Sequence, residues 1–449
     1  MKVCFFGFSV MDYKGEEINE PFFLKKMVDS LDKKGNETFY LYNEGGVGIN
    51  DEDVFNSFNI KSKRLSIDSY SEYKYNEYTK FSPEELYDII EFNHKLSFLT
   101  IKKDIKKQLL HTVLTCLEKL REYDEKYNFD LFIFFGNSTY SNIIRAYCLK
   151  NNKRFFNMEN GYFRPYTLMF DPKGVNYESS IPRDPNFYTN IQVDKNRLSQ
   201  FLYKPEKAEI NRDETWEYRE KFYKHYDIDV KKLERNNKGT QNTKTVEDTS
   251  LYDNEYIYVP FQLETDSQII KHSKRIKTMK QLVENCSKAL KKYNETNNKN
   301  LKMIFKTHPL YRSEIEIIDI LGINEICEKD PNLIFLTEGN NSKLLDHAKA
   351  VITINSTVGL EALIRQKPVI TLGDAFYGIE NIAYVCEDLE QLDVLIKKSL
   401  ETKVNTDLID QFIFYLRFDY FVEVYRNNPD DQSIENLINR MLNKEEYSR

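Results

Sequence analysis

Three short segments carry residue types that can do chemistry on an anionic ligand. Lys306-Thr307-His308-Pro309 leaves the apolar run LKMIF, so an ammonium and an imidazole would emerge together from a strand end. Both can donate to a phosphate or carboxylate, and Pro309 would stop the strand. Taken alone, His308 reads equally well as a structural residue. Asn355-Ser356-Thr357-Val358-Gly359-Leu360-Glu361-Ala362 follows the run AVITI and opens a helix. Ser356 or Thr357 can cap that helix while its remaining N–H groups face an anion. Gly359 would admit a ligand or a neighbouring backbone. Glu361 is either a capping-box partner or a hold on ribose hydroxyls. The third segment, Glu159-Asn160-Gly161-Tyr162-Phe163-Arg164-Pro165, puts a carboxylate at the end of RFFNM, ahead of a glycine turn and an arginine. That position suits an acid, base or nucleophile. It suits equally a Glu159–Arg164 ion pair that only fixes the loop.

Strands must deliver these residues, and the hydrophobic pattern supplies them. Apolar runs at 2–8, 37–43, 130–136 and 154–159 alternate with helical stretches at 21–33, 83–98, 100–126 and 139–150. Continuous apolar runs of this kind fit strands covered on both faces. The pattern breaks at 161–196, a Pro/Asp/Asn-rich loop, and at a charged helical segment over 197–235. It restarts with strands at 256–260, 301–309, 332–338, 350–355 and 368–373, and helices at 273–293 and from 357. The aromatic run FIFYLRFDYFVEVY at 412–425 reads as a buried helix docking two domains rather than a membrane-surface helix, because basic residues do not dominate a polar face. The expected fold is α/β with two Rossmann-like domains. Residues 1–235 form the first, with helical insertions; 236–250 (NNKGTQNTKTVEDTS) is a linker; 251–410 form the second; 411–449 are helices packing back across both. Ligands in such sheets sit at the carboxyl ends of the strands, so the site is expected in the cleft between the domains.

Composition bounds the rest. A chain of 449 residues with 41% hydrophobic and 30% charged residues can build more than one core. Its net charge of −7 argues against a protein that coats nucleic acid, while leaving room for a local anion site. The aromatic excess, 31 Tyr and 30 Phe against one Trp, reads as compositional drift. Six scattered cysteines show no CxxC pair and fit a reducing cytosol. No run approaches bilayer length. No metal-binding DxD pair is evident, since Asp51-Glu52-Asp53 reads as a solvated acidic loop, and neither a metal nor another cofactor is expected.

Four blocks resemble the capsule-polysaccharide Kdo transferases of the KpsS type, within the bacterial retaining β-Kdo transferases. They are MENGYFRPYTLMFDPKGVNYESSIPRDPNFY at 158–188, YVPFQLETDSQIIKHS at 258–273, FKTHPLYR at 305–312 and ITINSTVGLEALIRQKPVITLGDAFYGIENI at 352–382. The N-terminal YLYNEGG is similar as well. The resemblance implies a two-domain GT-B-like enzyme using CMP-Kdo as donor (Kdo is 3-deoxy-manno-octulosonic acid). It would act on a lysophosphatidylglycerol-type acceptor at the cytoplasmic face of the inner membrane, alongside other capsule-assembly proteins. By position, it makes Glu159 the acidic candidate, His308 a contact to the CMP phosphate, and Arg164 a partner of the Kdo carboxylate. Lys306, Asn355, Ser356 and Thr357 would complete the CMP pocket, with Gln262, Asp266 and Ser267 at its rim. One departure stands out: several relatives carry two acids before the glycine, and here the second is Asn160. If that second carboxylate is required, Glu159 takes its role, or Asp171 or Asp266 supplies it.

Overall fold

Alternate residues of single strands enter different cores, which explains why the strand runs are apolar throughout. In the computed structural model, which describes residues 1–8, 20–43, 52–67, 81–96, 105–163, 166–203, 255–308, 322–337, 339–426 and 429–443, strand β1 (Lys2–Phe6) sends Val3 and Phe5 into one core and Cys4 and Phe6 into another. Strand β4 (Leu131–Phe135) divides Leu131 and Ile133 from Phe132 and Phe134 in the same way. Each side chain so buried contributes roughly 1.5–3 kcal/mol.

The described residues fall into two units, one within Met1–Ser180 and Arg417–Arg449, the other within Ile181–Pro205 and Thr245–Leu416. The first has a seven-stranded sheet, ordered β13-β6-β5-β4-β1-β2-β3. Its further strands are β2 (Glu37–Tyr42), β3 (Lys63–Ser66), β5 (Arg154–Asn160), β6 (Thr167–Asp171) and β13 (Val422–Glu423). Helices α1 (Glu20–Lys33) and α13 (Asp431–Leu442) cover one face; α4 (Ile105–Tyr127) and α5 (Thr139–Lys150) cover the other. On α4 Val113, Cys116 and Leu120 are fully inaccessible.

The second unit has a six-stranded sheet, ordered β12-β11-β10-β7-β8-β9, with every neighbouring pair parallel. Its strands are β7 (Tyr256–Pro260), β8 (Lys302–Lys306), β9 (Leu333–Leu336), β10 (Ala350–Thr353), β11 (Val369–Thr371) and β12 (Tyr384–Val385). Ile257, Val259, Met303 and Phe305 share a core with Leu282, Val283 and Cys286 of helix α8 (Met279–Asn297). Thr278 and Gln281 close the start of α8 as a reciprocal capping box. On the opposite face Tyr256 and Tyr258 donate to the Leu344 carbonyl and to Asn341 Oδ1.

Several expectations need correction. The loop expected over 161–196 contains β6, a fully buried strand antiparallel to β5, so the first sheet is mixed. The segment 412–425 is buried but is not one helix. Helix α12 (Thr406–Tyr415) ends there, a π-helical turn spans Leu416–Tyr420, and β13 follows, antiparallel to β6. The helix expected over 273–293 is preceded by a separate short helix, α7 (Ser267–His272), and starts at Met279. Glu52 and Asp53 open helix α2 (Glu52–Ser57) instead of lying in a loop, and Glu52 pairs with Arg64 at 3.4 Å. The division of the chain also differs from the expected boundaries, because Ile181–Pro205 belongs with the second unit and Arg417–Arg449 with the first. The linker expected at 236–250 lies outside the described residues.

Candidate functional site

In the second unit the strand order runs β7, β8, β9 in one direction and returns to β10 on the far side of β7. Such a reversal leaves a crevice at the carboxyl ends of the strands flanking it. Two amides bridge it. Gln262 Nε2 donates to Asn355 Oδ1 at 2.9 Å, while Gln262 Oε1 accepts from the Asn355 backbone N–H at 3.0 Å and from the Thr353 hydroxyl at 3.3 Å. Asn355 Nδ2 faces the carbonyls of Gln268, His272 and Asp374 at 3.0, 3.4 and 3.4 Å. Gln262 and Asn355 are 7% and 6% exposed, and the oxygens of both are taken within the protein. Together they hold four chain segments around the crevice.

The segment after β10 is also more internally bonded than its sequence suggested. Ser356 Oγ accepts from the Val358 N–H at 3.2 Å, and the Gly359 and Glu361 N–H groups bond the Ser356 and Thr357 carbonyls. Helix α10 (Val358–Ile364) is seven residues long, and three of its first N–H groups are spent before any ligand arrives. Thr357 is exposed, and its hydroxyl makes no capping bond. Glu361 is exposed and forms no capping box. A side chain requires the glycine at 359. A Cβ there would lie 2.2 Å from the Tyr377 hydroxyl and 2.5 Å from its Cζ.

Beyond β7 lies β8, which ends at Lys306. The Lys306 side chain is buried at 5% exposure, and its Nζ has one contact, to the Thr307 carbonyl at 3.5 Å. Among the described residues no carboxylate pairs with it. Burial lowers its pKa below the ordinary lysine value. The Thr307 hydroxyl is tied to the Thr337 carbonyl at 2.8 Å, which fixes the strand end from which half-buried His308 departs. Pro309 lies outside the described residues. Asp266 is exposed and caps α7 through the Gln268 N–H at 2.8 Å, with Ser267 beside it.

In the first unit the corresponding reversal lies between β1 and β4. Gly7 and Gly136 end these strands with φ of 84° and 71°, and a Cβ on Gly7 would meet the Phe135 carbonyl at 2.8 Å. Glu159 lies one strand further on. Its Oε1 accepts from the Asn160 N–H at 2.9 Å, and its Oε2 sits 4.0 Å from where a Cβ of Gly136 would be. Gly161 has a structural cause, since a Cβ would lie 2.6 Å from the Thr167 backbone across the β5–β6 turn. Arg164 lies outside the described residues. Asp171, the alternative acid, is fully buried and accepts five hydrogen bonds, from the N–H groups of Lys173, Gly174 and Ser180 and the hydroxyls of Ser180 and Tyr420. A carboxylate so saturated has no lone pair left for a substrate, and its role is structural.

Tyr377 and the glycine pair Gly7 and Gly136 were missed from sequence. The glycines had a signal, since each directly follows an apolar strand run. Among the described residues no cluster of three or more metal-ligating side chains occurs, and no helix is long and apolar enough to cross a membrane.

Comparison with known proteins adds the family. Residues 130–406, more than half of the chain and including all three chemistry-bearing segments, match the family described as capsule polysaccharide biosynthesis protein. The chain is 27% identical over 283 residues to Protein FixF of Sinorhizobium fredii, a match spanning 62% of this chain and 58% of that relative. It is 27% identical over 291 residues to the capsule polysaccharide export protein KpsS of Escherichia coli, covering 59% of this chain and 72% of that one. Among solved structures it is similar to the β-Kdo 2,7 transferase of Thermosulfurimonas dismutans KpsC, with 17% identity, a TM-score of 0.39, and coverage of 72% of this chain and 90% of that chain. By the extent of the family match, this chain belongs to the capsule polysaccharide biosynthesis protein family.

Proposed function

We propose that this chain is a capsule glycosyltransferase that moves Kdo from CMP-Kdo to a (lyso)phosphatidylglycerol-type acceptor, starting the poly-Kdo linker at the membrane surface. The observation that carries the reading is Lys306, a buried ammonium without a carboxylate partner among the described residues, at a strand end beside His308. When the bond between the sugar's anomeric carbon and the phosphate oxygen breaks, CMP leaves with the electron pair. A fixed, desolvated cation and an imidazole N–H stabilise that charge as it develops. Ser356, Thr357 and Glu361 border the same strand ends and offer hydroxyls and a carboxylate to the nucleotide. Glu159 supplies the carboxylate of the reaction, as nucleophile or base, because the amide of Asn160 can serve as neither. A monophosphate leaving group needs less charge neutralisation than a diphosphate, so transfer proceeds without a metal; retention is what the resemblance to the retaining β-Kdo transferases implies.

Mass spectrometry of a mixture of protein, CMP-Kdo and a short-chain phosphatidylglycerol glycoside tests the reading. A Kdo increment on the acceptor, undiminished in EDTA, is the expected result. Turnover only with added divalent metal would end the metal-free mechanism, and an increment only from CMP-sialic acid would change the donor. Asn160 favours one second reading, a catalytically silent capsule-assembly protein, which would show no increment with any donor.

A further inference from the structure

We propose that Tyr377 is a positioning residue for the donor loop, holding the segment after β10 from behind so that Ser356 and Thr357 face the nucleotide. The inference rests on the donor reading above and adds to it the residue that sets the loop's shape.

Tyr377 is fully buried, and its hydroxyl donates to the Ser356 carbonyl at 2.5 Å. Burial raises its pKa, so the phenol stays protonated and remains a donor. Its ring occupies the space that any residue other than glycine at 359 would need. The one side chain thus fixes both ends of the turn, Ser356 by a hydrogen bond and Gly359 by contact. Tyr377 is itself held. Phe376 packs edge-on against it with ring centroids 4.8 Å apart, and the Phe376 carbonyl accepts from Arg183. Just upstream, the Leu372 and Gly373 N–H groups bond the Thr353 and Ile354 carbonyls at 2.9 and 3.0 Å. The Asp374 carbonyl accepts from Asn355. The stretch from Leu372 to Tyr377 therefore forms a mould for the donor loop, opposite the clasp made by Gln262.

Titration of the full-length protein with CMP, by calorimetry well below the thermal midpoint, tests this. Tyr377→Phe removes one oxygen and keeps the ring. It is expected to weaken CMP binding about 3–10-fold, the loss of one buried hydrogen bond, and to raise the donor KM more than it lowers kcat. Gly359→Ala should weaken binding more strongly. Adding Tyr377→Leu to Gly359→Ala should cost little further, because the ring that the new methyl group meets is gone. Unchanged CMP affinity in folded Tyr377→Phe, or strictly additive losses in the double variant, would overturn the positioning role. Wild-type protein that fails to bind CMP would instead overturn the donor reading on which it rests.

Discussion

Asp171 and Lys306 are both buried ionisable side chains at the carboxyl-side end of a β-strand, and they differ in almost everything else. Asp171 is saturated by five donors that knit the 171–180 loop and the 417–420 turn to its sheet. Lys306 has one long contact to its own neighbour's carbonyl. Saturation offsets the desolvation of the first charge, whereas the second has no carboxylate partner among the described residues, and under the proposed function the donor's phosphate would supply one.

That contrast predicts opposite outcomes for two conservative substitutions. Asp171→Asn should give the largest effect. Whichever way the amide turns, its NH2 faces at least two donors, so stability should fall by about 3 kcal/mol or more, read as a large drop in the thermal midpoint. A midpoint near wild type would show that the five bonds contribute little. Lys306→Met should leave the midpoint unchanged or higher, since it removes a desolvated cation. It should lower glycosyl transfer on the order of 100-fold, the usual cost of one transition-state charge contact. Loss of fold with activity per folded molecule retained would reverse the assignment.

The smallest effect is a pH shift. Because the folded-state pKa of Lys306 lies below its unfolded value, the folded chain binds fewer protons between the two. Stability from this group therefore rises with pH across that window. Nucleotide affinity should move the other way, failing on the alkaline side earlier than an ordinary lysine would allow. Lys306→Arg, whose guanidinium does not titrate there, should abolish that limb in a CMP titration series. An identical limb in wild type and variant would exclude Lys306 as its source.

The contrast also shows where sequence reading reached its limit. Strands β5, β8 and β10 were legible because strands covered on both faces must be apolar throughout, and that placed Lys306, His308, Asn355 and Glu159 at strand ends. Strand β6 was not, because five residues between Pro165 and Pro172 resemble a loop and only pairing with β5 makes them a strand. The aromatic run ending in β13 was read as one helix because its apolar residues are too dense to show a period. The amides of Gln262 and Asn355 were recognised as belonging to the site, but their mutual bond joins residues far apart in the chain, and nothing local distinguishes a ligand contact from a clasp. Tyr377 was invisible for the same reason: Gly359 announces a close neighbour without naming it.

The place of β13 and α13 in the first unit bears on the order in which the protein can assemble as it leaves the ribosome. Leu168 and Phe170 of β6 share a core with Ile434, Leu437 and Met441 of α13, and Asp171 awaits Tyr420. The amino-terminal sheet, although synthesised before the second, therefore keeps an open β6 edge and part of one apolar face uncovered until more than 400 residues have been made. The second unit, whose described strands all lie between Tyr256 and Val385, has its sheet complete earlier. The sheet of the first unit is thus completed late in synthesis, and until β13 is made the β6 edge lacks its partner strand.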